Sequence, residues 1–238
     1  MKNFVIYGGS KGLGDAFAKG LPENGDNVWI VSRSRPESLN IQDGIRRMWI
    51  ESDLSELTAA ETVANAVKDV VIDVLIYNAG IWESQGFTVN YDFENDDVQE
   101  IMKIIAVNLT SAITSIQKLL PNLKRAENAK IILIGSTAGL DNTGNSQVSY
   151  VSSKFGIRGV GSSIREHVRK YGIGVTIINP GEIAETPFEL GIEKAISAFH
   201  GKRIPVQDIV QIVKCVVGLS KVACVKEINV PSMEDMNA

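Results

Sequence analysis

Short runs in which apolar residues occupy successive positions recur along the chain: Phe4 to Tyr7, Val28 to Val31, Met48 to Ile50, Val74 to Tyr77, Lys130 to Ile134, Gly174 to Ile178 and Val225 to Val230. A strand covered on one face only would alternate apolar and polar residues, so these runs predict strands buried on both faces, as in a parallel sheet. Between them lie longer stretches, Leu13 to Leu21, Leu57 to Val70, Val98 to Leu120, Tyr150 to Tyr171 and Val206 to Leu219, each with an apolar stripe at helical spacing. In the third, Ile101, Ile104, Ile105, Leu109, Ile113, Ile116 and Leu120 fall close to one face, which suits packing on a sheet. Strands alternating with amphipathic helices predict an α/β fold, doubly wound, with a seven-stranded parallel sheet flanked by helices on both faces. The stretches from Val98 and Tyr150 carry enough apolar residues to serve a subunit contact as well.

At 238 residues, with no Pro/Gly/Ser-rich linker, the chain reads as a single domain over residues 1–238. No apolar run approaches the roughly 20 residues of a membrane span, and no membrane is expected as a partner. The first strand begins at about Asn3, which leaves no room for a secretory leader, so a cytoplasmic location is expected. A formal net charge of -4 with scattered lysines and arginines argues against nucleic acid. Cys215 and Cys224 are the only cysteines and read as reduced core thiols. His167 and His200 stand apart, so no metal is expected. A small-molecule partner remains.

The candidate chemistry lies at two places. In GGSKGLG, the glycines Gly8, Gly12 and Gly14 follow a strand and open a helix. A turn of that kind lets the backbone, with Ser10 and Leu13, approach a pyrophosphate at a helix N-terminus. The second strand ends at Ser32, where NAD-binding folds usually carry an acid for the ribose hydroxyls; here Arg33 and Arg35 follow, and Lys11 stands inside the glycine turn. Those cations suit a 2′-phosphate, so NADP(H) is favoured over NAD(H), against the plainer reading of solvated surface charge. Asp53 and Leu54 after the third strand, and Asn78, Ala79 and Gly80 after the fourth, should line the same crevice, Asp53 as an acceptor for the adenine amino group; each would also serve as an ordinary cap or turn.

Tyr150 and Lys154 stand at i and i+4 and so share one helix face, downstream of Ser136. An ammonium beside a phenol that ordinarily titrates near pH ~10 favours proton exchange closer to neutrality. Reduction of a ketone needs a proton donor and a polariser aimed at the carbonyl oxygen. Tyr150 is the candidate acid, Ser136 the polariser, and Lys154 the group that tunes the phenol and holds the nicotinamide ribose. Taken singly, a half-buried aromatic and a turn serine are the simpler explanations.

With GGSKGLG, DLS at Asp53, NAG at Asn78, Asn108, Ser136, YVSSK at Tyr150 and the PG pair at Pro180 in order, the chain resembles the short-chain dehydrogenase/reductase family over essentially its whole length. The resemblance implies a Rossmann-like domain, a catalytic tetrad at Asn108, Ser136, Tyr150 and Lys154 with Asn108 positioning a water, and a homodimer or homotetramer. It implies NADP(H) from the basic residues Lys11 and Arg33, and cofactor contacts that also include Tyr150, Lys154, Pro180, Gly181, Ile183 and Thr186. Tyr77 stands where the family commonly has an asparagine, Glu185 where it places a nicotinamide-contacting threonine, and KEINVPSM lacks a glycine pair common at the family's C-terminal end.

The implied activity is interconversion of a carbonyl (a ketone, an aldehyde or a 3-oxoacyl compound) and an alcohol by an NADP(H)-dependent oxidoreductase. The alternative is a non-catalytic, NADP-binding regulatory or structural relative. A segment at about 183–205, with Phe188, Leu190, Ile192, Ile196 and Phe199, is expected to form a small, mobile, apolar substrate lid.

Overall fold

The computed structural model describes residues 1–141 and 144–235; the last three residues of the expected domain, and residues 142–143, lie outside that range. Its strands are β1 Asn3–Tyr7, β2 Asn27–Ser32, β3 Arg46–Glu51, β4 Val74–Tyr77, β5 Lys130–Ile134, β6 Gly174–Pro180, β7 Ile183–Ala184, β8 Ile204–Pro205 and β9 Glu227–Val230. Its helices are α1 Gly12–Gly20, α2 Ala59–Ala66, α3 Val98–Ile105, α4 Ser111–Leu123, α5 Val148–Val168, α6 Ile192–Ala198 and α7 Val206–Gly218. Seven strands form one sheet in the order β3-β2-β1-β4-β5-β6-β9, every neighbouring pair parallel. The fold is therefore the doubly wound, Rossmann-like α/β arrangement expected from the pattern.

The continuous apolar runs have the cause inferred for them. β4, β5 and β6 are buried at every position, whereas the edge strand β9 alternates with exposed residues and β3 is exposed at both of its ends. Successive side chains point to opposite faces, so each central strand feeds two cores. Val5, Tyr7, Leu75, Tyr77, Ile131 and Leu133 pack with Val63 of α2, Ile116 of α4 and Ile157 of α5. Phe4, Ile6, Val74, Ile76, Ile132 and Ile134 pack with Phe17 of α1 and Val213 of α7.

Two expectations change here. By length and composition the helical stretch Val98–Leu123 is apolar enough to cross a membrane, although no run was expected to approach that length. Its Ile104, Ala112, Ile116, Leu119 and Leu123 are buried in the protein, so those apolar positions are used by the sheet. Cys215 and Cys224 are free and exposed rather than core thiols, because Cys215 falls on the outward side of α7 and Cys224 in the segment before β9.

The strand order reverses between β1 and β4, so their following loops diverge and leave a crevice at the carboxyl edge. The glycine turn after β1 and the Asn78–Gly80 segment after β4 border it.

Candidate active site

The glycine turn is packed too closely for side chains. A methyl group at Gly14 would lie 1.9 Å from the Gly8 carbonyl oxygen, and Asn78 Nδ2 donates to that same oxygen at 3.1 Å. The β1 and β4 loops are thus tied together across the switch point. The first turn of α1 has no side-chain cap at Lys11, which suits an external anion at its N-terminus. At Gly12 the space is contested: a methyl there would lie 2.7 Å from Glu185 Oε1. Ser34 Oγ donates to Ser10 Oγ at 3.3 Å, which brings the turn and the end of β2 together. Lys11, Arg33 and Arg35 are exposed there. Asp53 Oδ1 accepts from the Ser55 N–H at 2.9 Å and from Ser55 Oγ at 2.7 Å. Those bonds, with the nearby Arg33 guanidinium, hold its carboxyl below the usual range.

Leu54 is buried. Pro180 and Gly181 close β6, Ile183 begins β7, and Thr186 Oγ1 is buried with no hydrogen-bond partner. A backbone cradle without side chains, exposed cations at Lys11, Arg33 and Arg35 and an orphaned hydroxyl together fit a nicotinamide dinucleotide. Glu185 alone stands against it.

At the other end of the crevice, Ser136 follows β5 in extended backbone, its Oγ accepting from the Ala138 N–H at 3.1 Å. Tyr150 sits in the first turn of α5 and Lys154 one turn later, its Nζ 5.5 Å from the Tyr150 ring centroid. Burial raises the Tyr150 phenol above the ordinary tyrosine range, a hydrogen bond with Ser136 lowers it, and the Glu83 carboxylate raises it further. This differs from the tuning expected of Lys154. The lysine, itself buried, donates to the Ile134 carbonyl at 3.1 Å, and desolvation lowers its ammonium to about 8.

Asn108 lies in a π-helical turn, Ala106–Thr110, between α3 and α4. Its Oδ1 accepts from the Ile81 N–H at 2.8 Å; its Nδ2 donates to the Ile81 carbonyl at 2.7 Å and to Ser153 Oγ at 2.9 Å. The side-chain amide thereby ties the Ile81 main chain to Ser153 of α5. Its action is to fix the chain after Gly80. Tyr77 explains its own departure from the family pattern: its hydroxyl donates to the Val107 carbonyl at 2.6 Å, inside the π turn, and its ring stacks on Tyr7 at 5.1 Å. A π turn leaves main-chain groups without their usual helical partners, and Tyr77 takes one.

Three residues of the site went unremarked in the sequence. Glu83 Oε1 accepts from the N–H groups of Ser149 at 2.8 Å and Tyr150 at 3.1 Å. Trp82 and Phe87, each about half exposed, set their rings edge-on to Tyr150 with centroids 6.3 and 5.5 Å away. All three lie in the aperiodic segment after β4; the one available signal was two aromatics and an acid just past NAG.

The sequence model described as short chain dehydrogenase matches residues 2–196. The chain is 29% identical over 203 residues to 3-dehydrosphinganine reductase TSC10B of Arabidopsis thaliana, covering 81% of this chain but 58% of that protein. It is 32% identical over 187 residues to the rhamnolipids biosynthesis 3-oxoacyl-[acyl-carrier-protein] reductase of Pseudomonas aeruginosa, covering 74% of this chain and 71% of that one. Among solved structures, an alcohol dehydrogenase from Thermococcus sibiricus complexed with 5-hydroxy-NADP superposes with a TM-score of 0.79 at 21% identity, over 98% of this chain and 97% of that one. A Brucella melitensis 3-oxoacyl-[acyl-carrier protein] reductase in complex with NAD gives 0.79 at 21%, over 96% and 94%. At such identities the structures speak for the fold, and the family is carried by the sequence match: this chain belongs to the short-chain dehydrogenase family of oxidoreductases.

Proposed function

We propose that the protein is an NADP(H)-dependent reductase of a small, uncharged ketone or aldehyde, with Tyr150 as the proton donor. The observation that carries this reading is the placing of Tyr150 in the first turn of α5 with the Lys154 Nζ one turn below, 5.5 Å from its ring centroid, and with Ser136 near enough to lower its phenol against the effect of burial. When bound, NADPH supplies a hydride to the carbonyl carbon. Ser136 Oγ orients the carbonyl oxygen, and Tyr150 Oη delivers the proton that the oxygen takes up as negative charge develops. Burial suits that role in reduction, because a phenol held above its ordinary range stays protonated at neutral pH. Lys154 keeps a positive charge close to a phenolate left behind. Asn108 holds Ile81 and Ser153, and through them the two sides of the pocket.

Gly8, Gly12 and Gly14 would hold the pyrophosphate, Lys11 and Arg33 the 2′-phosphate, Asp53 and Leu54 the adenine, and Thr186 the carboxamide. The apolar part of the substrate lies against Trp82 and Phe87. A hollow lined by Tyr91, Asp92, Asp96, Asp97 and Glu100 adjoins that segment and disfavours a substrate presented on an anionic carrier. The chain acts as one domain, and the reductase names of the two curated relatives described above accord with the reductive direction.

The deciding experiment follows NADPH and NADH absorbance across a panel of uncharged carbonyl compounds, with Tyr150→Phe and Arg33→Asp run beside the wild type. Tyr150→Phe is expected to lower kcat by at least about 100-fold and to bind NADPH normally. Arg33→Asp is expected to weaken NADPH about 10-fold more than NADH. Undiminished turnover in the first variant rejects the acid, and equal losses in the second reject the cofactor preference.

A further inference from the structure

We infer that Glu83 is a positioning residue for the acid–base phenol, fixing the height of Tyr150 through the main chain of α5 and holding its carboxylate beside it. The inference rests on the role given to Tyr150 above. Helix α5 starts at Val148, and Gln147 at its N-cap offers no side-chain acceptor, so the first N–H groups need partners from elsewhere. One carboxylate oxygen of Glu83 supplies both bonds, to Ser149 and to Tyr150 itself. The same loop is clamped a second time, where Gln147 Nε2 donates to the Gly86 carbonyl. Asn108 holds the loop from the other end, at Ile81. The loop after β4 and the first turn of the catalytic helix are one mechanical unit.

Capping alone does not require a charge. A neutral amide or hydroxyl accepts the same two N–H bonds, whereas Glu83 is 1% exposed and its Oε2 is buried with no hydrogen-bond partner. Among the described residues no lysine, arginine or histidine pairs with it. The positive end of the helix dipole favours a negative group there, but an orphaned carboxylate oxygen still costs stability. Its charge has a use beside the phenol. Tyr150 is faced by Ser136 from the end of β5, by Lys154 from its own helix and by Glu83 from the β4 loop; the hydrogen-bonded pair Tyr91 and Asp96 touches α5 at Val148. Glu83 works against phenolate formation in the same sense as burial, which keeps the proton-donating form populated to higher pH and favours reduction.

The test is an ultraviolet difference titration of the phenol, each protein against its Tyr150→Phe counterpart, run beside the pH profile of kcat. Glu83→Gln keeps the shape and the acceptor and removes the charge. It is expected to move the Tyr150 titration, and the basic limb of the profile, about one pH unit lower, with NADPH affinity unchanged. Glu83→Asp keeps the charge and shortens the reach, so it should lower kcat several-fold while leaving the titration high. A Glu83→Gln titration superposable on the wild type overturns the inference, as does an Asp variant that shifts as far as Gln. If Glu83→Gln does not fold, the wild-type protein still decides, since a Tyr150 that titrates at or below the ordinary tyrosine range overturns it. The titration needs no substrate, so failure to reduce any carbonyl would count against the reductase reading alone.

Discussion

Lys154 carries its ammonium into a place where the Ile134 carbonyl is its hydrogen-bond partner, and desolvation lowers it to about 8. Unfolded, the same group titrates near ~10.4. Between these values the unfolded chain binds more protons than the folded one, so this residue's contribution rises with pH across that window and its penalty is present in full at neutrality. Lys154→Met is therefore expected to abolish turnover while raising stability at neutral pH, on the order of 2 kcal/mol. Thermal unfolding at neutral pH and again near pH ~10 checks it, because the gain must shrink at the higher pH. An equal gain at both would assign the effect to packing.

At the scale of elements, the segment from β7 to β8 is docked by polar contacts at its edges. Lys19 of α1 bridges Asp15 and Glu189 at 2.6 Å each, Gln207 Nε2 donates to the Phe188 carbonyl at 2.8 Å, and Ser232 Oγ donates to the Lys202 carbonyl at 2.7 Å. Surface ion pairs contribute little individually, so this segment is the natural candidate for a moving lid, and Glu185 against Gly12 gives it a reason to move: a carboxylate and a pyrophosphate repel. Glu185→Gln is expected to tighten NADPH binding several-fold, measured by the cofactor's fluorescence on titration. Weaker binding would instead make the acid a cofactor contact.

Which elements were legible follows from how each announces itself. β4 and β5 were readable to the residue because a strand buried on both faces leaves an unbroken apolar run. The π turn was not, since Ile101, Ile104, Ile105, Leu109, Ile113 and Ile116 keep close to one face whether the helix is regular or carries one extra residue per turn at Ala106–Thr110. Tyr150 and Lys154 declared themselves by i, i+4 spacing. Glu83 had no such period, and its importance lies in what it touches 67 residues away. The direction of the phenol's shift was equally hidden, because desolvation depends on neighbours that spacing does not name.

For the molecule as a whole, α3, α4 and α5 leave Val98, Met102, Ile113, Val148 and Phe155 substantially exposed. We propose that a second copy covers these side chains, as it would in a homo-oligomer. Light scattering is expected to give a dimer or tetramer for the wild type, and Phe155→Asp with Ile113→Asp is expected to give a monomer of unchanged fold. A monomeric wild type would remove the need for any such contact.

The two accessible sulfurs lie elsewhere. Cys215 is on α7 and Cys224 reaches the Val175 carbonyl, where β6 has only just begun, so both sit toward the end of the sheet opposite the crevice. Maleimide chemistry could therefore hang a dye or anchor the protein to a chip through its back, leaving the nucleotide mouth open to the bulk solution.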